Sequence, residues 1–121
     1  MTKRILVVED QEDNRQILRD LLGSIDIEMI EAHDGETAVV QAEKHRPDLI
    51  LMDIQLPVMD GYEATRRIKA NAELKAIPII VVTSYALSGD EAKARAAGCD
   101  AYVTKPYSPR QLLAKINEYL K

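Results

Sequence analysis

Short apolar runs alternate five times along the chain with longer amphipathic segments. Residues 5–8, 49–52 and 79–82 are continuously apolar, whereas residues 27–32 and 101–104 mix apolar with polar side chains. A continuously apolar strand is typical of the interior of a parallel sheet, and a mixed strand is typical of its edge. The pattern therefore predicts five strands, with the first, third and fourth inside the sheet and the second and fifth at its edges.

The segments between the runs carry apolar residues at three-to-four spacing, which predicts helices. We expect the first helix to bury Ile17, Leu18, Leu21, Leu22 and Ile25 and to expose Arg15, Gln16, Arg19 and Asp20. In the third helix, Arg66, Arg67 and Lys69 are most simply a solvated face. The fourth helix, over residues 88–97, is alanine-rich and buries little area per residue, which makes it a candidate mobile element.

Strands that alternate with helices favour a parallel sheet with right-handed crossovers and helices on both faces. The interior and edge strands match the order 2-1-3-4-5 of the flavodoxin-like doubly wound α/β fold. In that fold the binding site lies at the carboxyl ends of strands 1 and 3. We expect residues 1–121 to form one domain with five helices and no output domain.

Composition narrows the classes of partner and compartment. The formal net charge of −4 disfavours general binding to nucleic acid or to an anionic membrane, so a protein partner is the simpler expectation. No apolar run approaches the roughly 18 to 20 residues that span a bilayer, and we expect a soluble cytoplasmic protein. The single cysteine, Cys99, is expected to be a buried packing residue.

Polar residues stand where the predicted strands end. Glu9 and Asp10 follow the first strand, Asp53 the third, Thr83 ends the fourth and Lys105 follows the fifth. Taken alone, Asp53 is equally well explained as a cap of the turn that follows it. Three converging carboxylates, however, suit Mg²⁺ or the similar Mn²⁺. Lys105 and Thr83 are suited to binding the oxygens of a phosphoryl group on Asp53.

With these residues in view, the whole chain resembles the receiver domain of two-component response regulators. The motifs that carry the resemblance are Val8-Glu9-Asp10, Met52-Asp53, Leu56-Pro57, Met59-Asp60-Gly61, Val82-Thr83, Ala101-Tyr102 and Thr104-Lys105-Pro106. Asn14-Arg15 and Tyr62-Glu63-Ala64-Thr65 are similar to receivers attached to hybrid kinases and to single-domain relay proteins. Each motif is weak alone, but their order and spacing are specific.

The resemblance implies that Asp53 accepts phosphate from a histidine kinase or a histidine phosphotransfer protein in a Mg²⁺-dependent reaction. Asp10, Asp53 and the Gln55 main-chain carbonyl would hold the metal, with Glu9 acting mainly through water. Family members often have Asp where this chain has Glu9, so direct and water-mediated contact both stay open. Lys105 would pair with the phosphoryl group, after a cis Lys105–Pro106 bond.

The resemblance further implies a signalling switch and not an enzyme that turns over substrate. Thr83 would move toward the phosphoryl group and Tyr102 would turn inward, changing a surface that binds a downstream protein. Family members commonly form homodimers through the last strand, and whether two copies of this chain do so stays open. Gln55 and Tyr85 should flank the water that attacks the aspartyl phosphate, and the bulk of Tyr85 predicts slow self-dephosphorylation. The alternative is that Tyr85 only packs on the following helix.

Three other readings of the residues compete with this one. A phosphatase of the haloacid dehalogenase type also uses a strand-end Asp, but it usually carries a second Asp where this chain has Gln55. A receiver-like module that never takes phosphate would not need the intact set of Asp53, Thr83 and Lys105. A flavodoxin-like cofactor binder would need a phosphate-binding loop that the sequence lacks.

Overall fold

A five-stranded parallel sheet forms the centre of the protein, in a computed structural model that describes residues 2–84 and 89–120. The strands are β1 (Lys3–Val8), β2 (Ile27–Ala32), β3 (Leu49–Met52), β4 (Ile79–Thr83) and β5 (Ala101–Thr104). Their order is β2-β1-β3-β4-β5, and every neighbouring pair is parallel. The predicted α/β fold and strand order are confirmed.

Helices cover both faces of this sheet. They are α1 (Glu12–Leu22), α2 (Gly35–His45), α3 (Gly61–Ala70), α4 (Asp90–Ala97) and α5 (Pro109–Leu120). Successive residues of a strand point to opposite faces. One face, with Leu6, Ile50 and Val81, packs against α2, α3 and α4, and the other, with Val7 and Leu51, packs against α1 and α5.

Burial along the strands follows the predicted division. All residues of β3 and β4 are buried, as are Ile5 to Val8 of β1. In β2 only Ala32 is fully buried, and in β5 only Ala101. The two mixed strands therefore lie at the edges because only part of their surface is covered.

The prediction for α1 was wrong at two positions. Ile17 is 55% exposed, and Arg15 is only 6% exposed. Arg15 stands three and seven residues before Leu18 and Leu22, so it lies on the same buried stripe of the helix. An arginine is tolerated there because its guanidinium contacts oxygen atoms of β2 and of the segment after β1.

Lys69 of α3 is also not the solvated base that the sequence predicted. Its ammonium donates to the carbonyl oxygens of Lys75 and Ile77, at 3.0 and 2.8 Å, and to Asp100 Oδ2 at 2.9 Å. Lys69 thereby ties the end of α3 to the segments that precede β4 and β5. The exposed Arg66 and Arg67, by contrast, pair only with Glu63 of their own helix among the ion pairs of the described residues.

The remaining predictions for helices hold in part. Helix α4 is described from Asp90, and the predicted start at residue 88 lies outside the described residues. The apolar spacing of the last helix predicts burial of Leu112, Leu113, Ile116 and Leu120. In α5, Leu112 and Ile116 are buried, whereas Leu113 and Leu120 are only half-buried. Cys99 is buried against the α4 side of the sheet, as predicted. None of the helices within residues 2–84 and 89–120 has the length and hydropathy needed to cross a bilayer.

Candidate functional site

Asp53 stands directly after β3, at the carboxyl edge of the sheet. Its backbone N–H extends the ladder to β1 by donating to the Val8 carbonyl at 3.0 Å, and its Oδ1 accepts from the Ile54 N–H at 2.7 Å. A Cβ added to Gly61 would lie 2.0 Å from the Asp53 carbonyl oxygen, so only glycine lets α3 begin this close. The Asp53 carboxylate is thus held on rigid backbone, with 7% of the residue exposed.

Glu9 is the buried acid beside it. The Glu9 N–H donates to the Ala32 carbonyl at 3.1 Å, which continues the pairing of β1 with β2 by one residue. The carboxylate accepts from Lys105 Nζ at 2.7 Å through Oε1 and from the Gln11 N–H at 3.2 Å through Oε2. Asp10, the next residue, is exposed. The two acids after β1 therefore differ, since one is fixed in the protein and the other faces solvent.

Lys105 lies between the acids of β1 and β3. Its ammonium is 2.7 Å from Glu9 Oε1 and 3.2 Å from Asp53 Oδ2. Its N–H donates to the Thr83 carbonyl at 2.8 Å, which anchors the residue to β4, and the predicted cis Lys105–Pro106 bond is present. The structure thus brings Glu9, Asp53 and Lys105 into direct contact.

The proximity of these charges shifts their proton affinities. Burial raises the pKa of Asp53 to about 6, the Glu9 charge adds to this, and the Lys105 ammonium opposes it. Burial also acts to raise the pKa of Glu9, but the hydrogen bond and charge of Lys105 outweigh it, so that pKa is lowered. The pKa of Asp10 is also raised, first by the partial burial of its carboxyl and then by the neighbouring Glu9. Burial is thus the main cause that raises the pKa of Asp53 and of Asp10, whereas Lys105 lowers the pKa of Glu9.

The same acids fit a divalent cation. Glu9, Asp10 and Asp53 can each offer a carboxylate oxygen such that the three atoms lie within 4.8 Å of one another. Hard oxygen donors at this spacing suit Mg²⁺ and Mn²⁺. Gln55 is exposed on the loop after Asp53, where it lines, with Asp10, Asp60 and Lys93, a groove of about 520 Å³.

The residues of the predicted switch lie on neighbouring strands. Thr83, at the end of β4, is fully buried, and Tyr102 of β5 stands opposite Val81 in the sheet register. The Tyr102 side chain is half-buried and also lines an open cavity of about 410 Å³ beside α5. Tyr85 lies outside the described residues.

Sequence analysis missed Arg15 as a neighbour of the site. Its Nη1 donates to the Glu9 main-chain oxygen at 2.8 Å. The available signal was a charge on the apolar stripe of α1. That signal was overlooked because the partners of the guanidinium lie on other segments of the chain.

The family model for the response regulator receiver domain matches residues 5–117. The chain is a response regulator receiver domain. It belongs to the proteins of two-component signalling, and the resemblance found in the sequence is confirmed.

Curated relatives match this receiver over almost its full length. The polar-differentiation response regulator DivK of Brucella ovis is 45% identical over 120 residues, which cover 99% of this chain and 98% of that protein. DivK of Brucella anthropi is likewise 45% identical over 120 residues, with the same coverage.

Solved structures share the fold of this receiver. The receiver domain of the sensor histidine kinase PA1611 from Pseudomonas aeruginosa has a TM-score of 0.92 and 38% identity, covering 99% of this chain and 98% of its own. That structure has a magnesium ion coordinated in its active site cleft. The chemotaxis response regulator CheY4 of Vibrio cholerae has a TM-score of 0.91 and 28% identity, covering 99% and 100%.

Proposed function

We propose that this receiver accepts a phosphoryl group on Asp53, in a reaction that depends on Mg²⁺ or Mn²⁺, and that it passes the signal to a downstream protein. The donor is the phosphohistidine of a histidine kinase or of a histidine phosphotransfer protein. The observation that carries the proposal is the contact of Lys105 with both Glu9 and Asp53, beside Asp10, at the carboxyl edge of the sheet. Such a cluster is suited to binding a phosphoryl group and its metal.

Asp53 is the nucleophile in this proposal. One carboxylate oxygen attacks the phosphorus in line, and the bond from phosphorus to the histidine nitrogen breaks with its electron pair returning to the imidazole. The carboxylate must be deprotonated to attack. With a pKa of about 6 for Asp53, this is its main state at neutral pH.

Asp10, Asp53 and the Gln55 main-chain carbonyl would hold the metal, with Glu9 beside it. When bound, the cation supplies positive charge that offsets the carboxylates and the phosphoryl oxygens. Lys105, already 3.2 Å from Asp53 Oδ2, would pair with a phosphoryl oxygen once Asp53 is modified.

Thr83 and Tyr102 would convert this chemistry into a change of surface. A Thr83 hydroxyl that moves to donate to the phosphoryl group would vacate space beside the adjacent strand β5, and the Tyr102 ring would turn into that space. The surface around β5 and α5 would then bind a downstream protein or a second copy of the receiver. Phosphate needs only to bind the active arrangement better than the inactive one.

Gln55 and Tyr85 would determine how long the phosphoryl group stays on Asp53. Both would flank the water that attacks the aspartyl phosphate, and the Tyr85 ring would exclude or misplace that water. A Tyr85→Ala variant should therefore lose phosphate faster than the unmodified sequence, as followed by the decay of label after the donor is removed. An unchanged or longer half-life would leave Tyr85 with a packing role only.

Labelling with acetyl phosphate tests the acceptor directly. Incubation with Mg²⁺ should place about one phosphoryl group on each molecule, located at Asp53 by mass spectrometry, and Asp53→Asn should take none. Chelating the divalent cation should abolish the label. Continuous release of phosphate would favour a phosphatase instead, and absence of label with Mg²⁺ present would favour a binding module that never takes phosphate.

A further inference from the structure

The buried arginine of α1 reaches the main chain of the candidate site. Arg15 Nη1 donates to the Glu9 carbonyl at 2.8 Å, and Nη2 donates to Glu12 Oε2 at 2.6 Å. Its Nε lies 3.1 Å from Glu31 Oε1, which is an ion pair and not a hydrogen bond. One guanidinium thus joins the segment after β1, the first turn of α1 and the edge strand β2.

The hydrogen bond from Arg15 holds the one polar group of Glu9 that the neighbouring strands and Lys105 do not hold. The Glu9 N–H is tied to Ala32, and the two carboxylate oxygens are tied to Lys105 and Gln11. The carbonyl belongs to the peptide group that links Glu9 to Asp10, and Arg15 is its partner. The orientation of that peptide sets where the Asp10 side chain, which is exposed, leaves the main chain.

We propose that Arg15 is a positioning residue for the metal: its guanidinium, held between Glu12 and Glu31, fixes the Glu9–Asp10 peptide and so orients the acidic pair. The inference rests on the proposed Mg²⁺-dependent function. Arg15 itself would contact neither the metal nor the phosphoryl group. It would act through the Glu9 carbonyl, as outer residues orient the direct ligands of metal sites.

Arg19 provides a matched control on the same helix. It pairs with the same two glutamates, at 3.2 Å to Glu12 Oε1 and 2.8 Å to Glu31 Oε1. Within the described residues, its hydrogen bonds go to Gln16, Glu12 and Glu31 and not to Glu9. Removing Arg19 therefore removes charge and stability from the same network without releasing the Glu9 carbonyl.

Mg²⁺ binding, measured by isothermal titration calorimetry on the whole chain, distinguishes the two arginines. Arg15→Met should raise the Kd for Mg²⁺ by about tenfold, which is a typical loss of affinity when a residue that orients a metal ligand is removed. Arg15→Lys should recover part of this, because an ammonium can donate to the carbonyl but cannot also serve both glutamates. Arg19→Met should stay within about twofold of the unmodified sequence, because the hydrogen bonds of Arg19 in the part of the chain that the structure describes do not reach the Glu9 carbonyl.

Phosphorylation by acetyl phosphate provides a second readout. The label rate of Arg15→Met should fall at low Mg²⁺ and return near the unmodified rate at saturating Mg²⁺, because only the orientation of the acids has changed. A general loss of folding would lower the rate at every Mg²⁺ concentration. Urea unfolding of each variant shows that the proteins compared are folded under the assay conditions.

The possible results separate this inference from the function on which it rests. If the unmodified chain binds no Mg²⁺, the proposed function fails and the inference fails with it. If the unmodified chain binds Mg²⁺ but Arg15→Met and Arg19→Met have equal Kd values, only the positioning role is overturned. If Arg15→Met does not fold, Arg15→Lys is compared with Arg19→Lys, and equal Kd values for that pair overturn the role in the same way.

Discussion

Replacing Asp53 by Asn should stabilise the fold of the metal-free protein, although it removes the proposed acceptor. Asp53 is only 7% exposed and lies beside the Glu9 charge, and burial first and that charge second raise its pKa to about 6. Asn has nearly the same shape, and its side-chain oxygen can keep the hydrogen bond that Ile54 N–H makes with Oδ1. Lys105 keeps Glu9 as a partner at 2.7 Å, so no buried charge is left alone.

The size of the stability gain expected for Asp53→Asn follows from the linkage between proton binding and folding. A folded pKa of about 6, against the ordinary 3.8, means that the folded state holds its proton more tightly than the unfolded state. The cost of ionising Asp53 is therefore absent below pH 3.8, grows as the pH rises and is complete above about 6. Its upper limit is about 3 kcal/mol. That limit already includes the attraction of Lys105, and because protein and solvent relax around the ionised carboxylate we expect a gain of about 1–2 kcal/mol.

Urea unfolding with a chelator present tests this at two pH values. The Asp53→Asn variant should be more stable than the unmodified chain at about pH 7.5, and the difference should nearly vanish at about pH 4. Mg²⁺ at about ten times its Kd should stabilise the unmodified chain by about 1.4 kcal/mol and the variant much less. The difference in stability between the two proteins should therefore become smaller when Mg²⁺ is present. Equal or lower stability of Asp53→Asn at the higher pH would refute the reasoning, as would a gain that does not depend on pH.

Lys105→Met should destabilise the fold, in contrast to Asp53→Asn. It leaves the carboxylates of Glu9 and Asp53 facing each other without their ammonium, which now contacts both. We expect a loss of about 2 kcal/mol in the metal-free protein near neutral pH. That loss should shrink on acidification, because protonating a carboxyl relieves the same repulsion.

Two further predictions concern the backbone around Asp53. Val58 has φ of 69° and is 78% exposed, so Val58→Asn should stabilise by about 1 kcal/mol through relief of left-handed strain, read as a higher urea midpoint at unchanged slope. An unchanged midpoint would count against strain at this position. Gly61→Ala would place a Cβ 2.0 Å from the Asp53 carbonyl oxygen. It should therefore lower the free energy of unfolding by more than about 2 kcal/mol and weaken Mg²⁺ binding. Full stability with normal Mg²⁺ binding would contradict the close approach.

Much of the sheet could be predicted from sequence because the burial of a strand leaves a local pattern. Continuous or mixed hydrophobicity of a run reports how far a strand is covered, and it assigned strands 1, 3 and 4 to the interior and strands 2 and 5 to the edges. The order among the interior strands came from the match to the flavodoxin-like arrangement. The strand-end acids followed from the same argument, since carboxyl ends of parallel strands share one edge. Here the local pattern and the tertiary structure agree.

The errors arose where a charged side chain has a partner far away in the chain. Lys69 was assigned to solvent, but it pairs with Asp100, 31 residues later. Arg15 was placed on the exposed face, although Glu31 on β2 and the Glu9 carbonyl receive its guanidinium. Helical periodicity reports which residues share a stripe, but it contains no information about oxygen atoms that other segments bring to that stripe.

The contact between Lys105 and Glu9 joins residues 96 positions apart in the chain. It forms only when β1, β3, β4 and the segment after β5 are all in place, since each contributes to the backbone that holds it. A chain still emerging from the ribosome has its three acids long before it has the lysine that pairs with two of them. Under the proposed function, a growing chain therefore cannot receive phosphate before the segment after β5 has folded against β4.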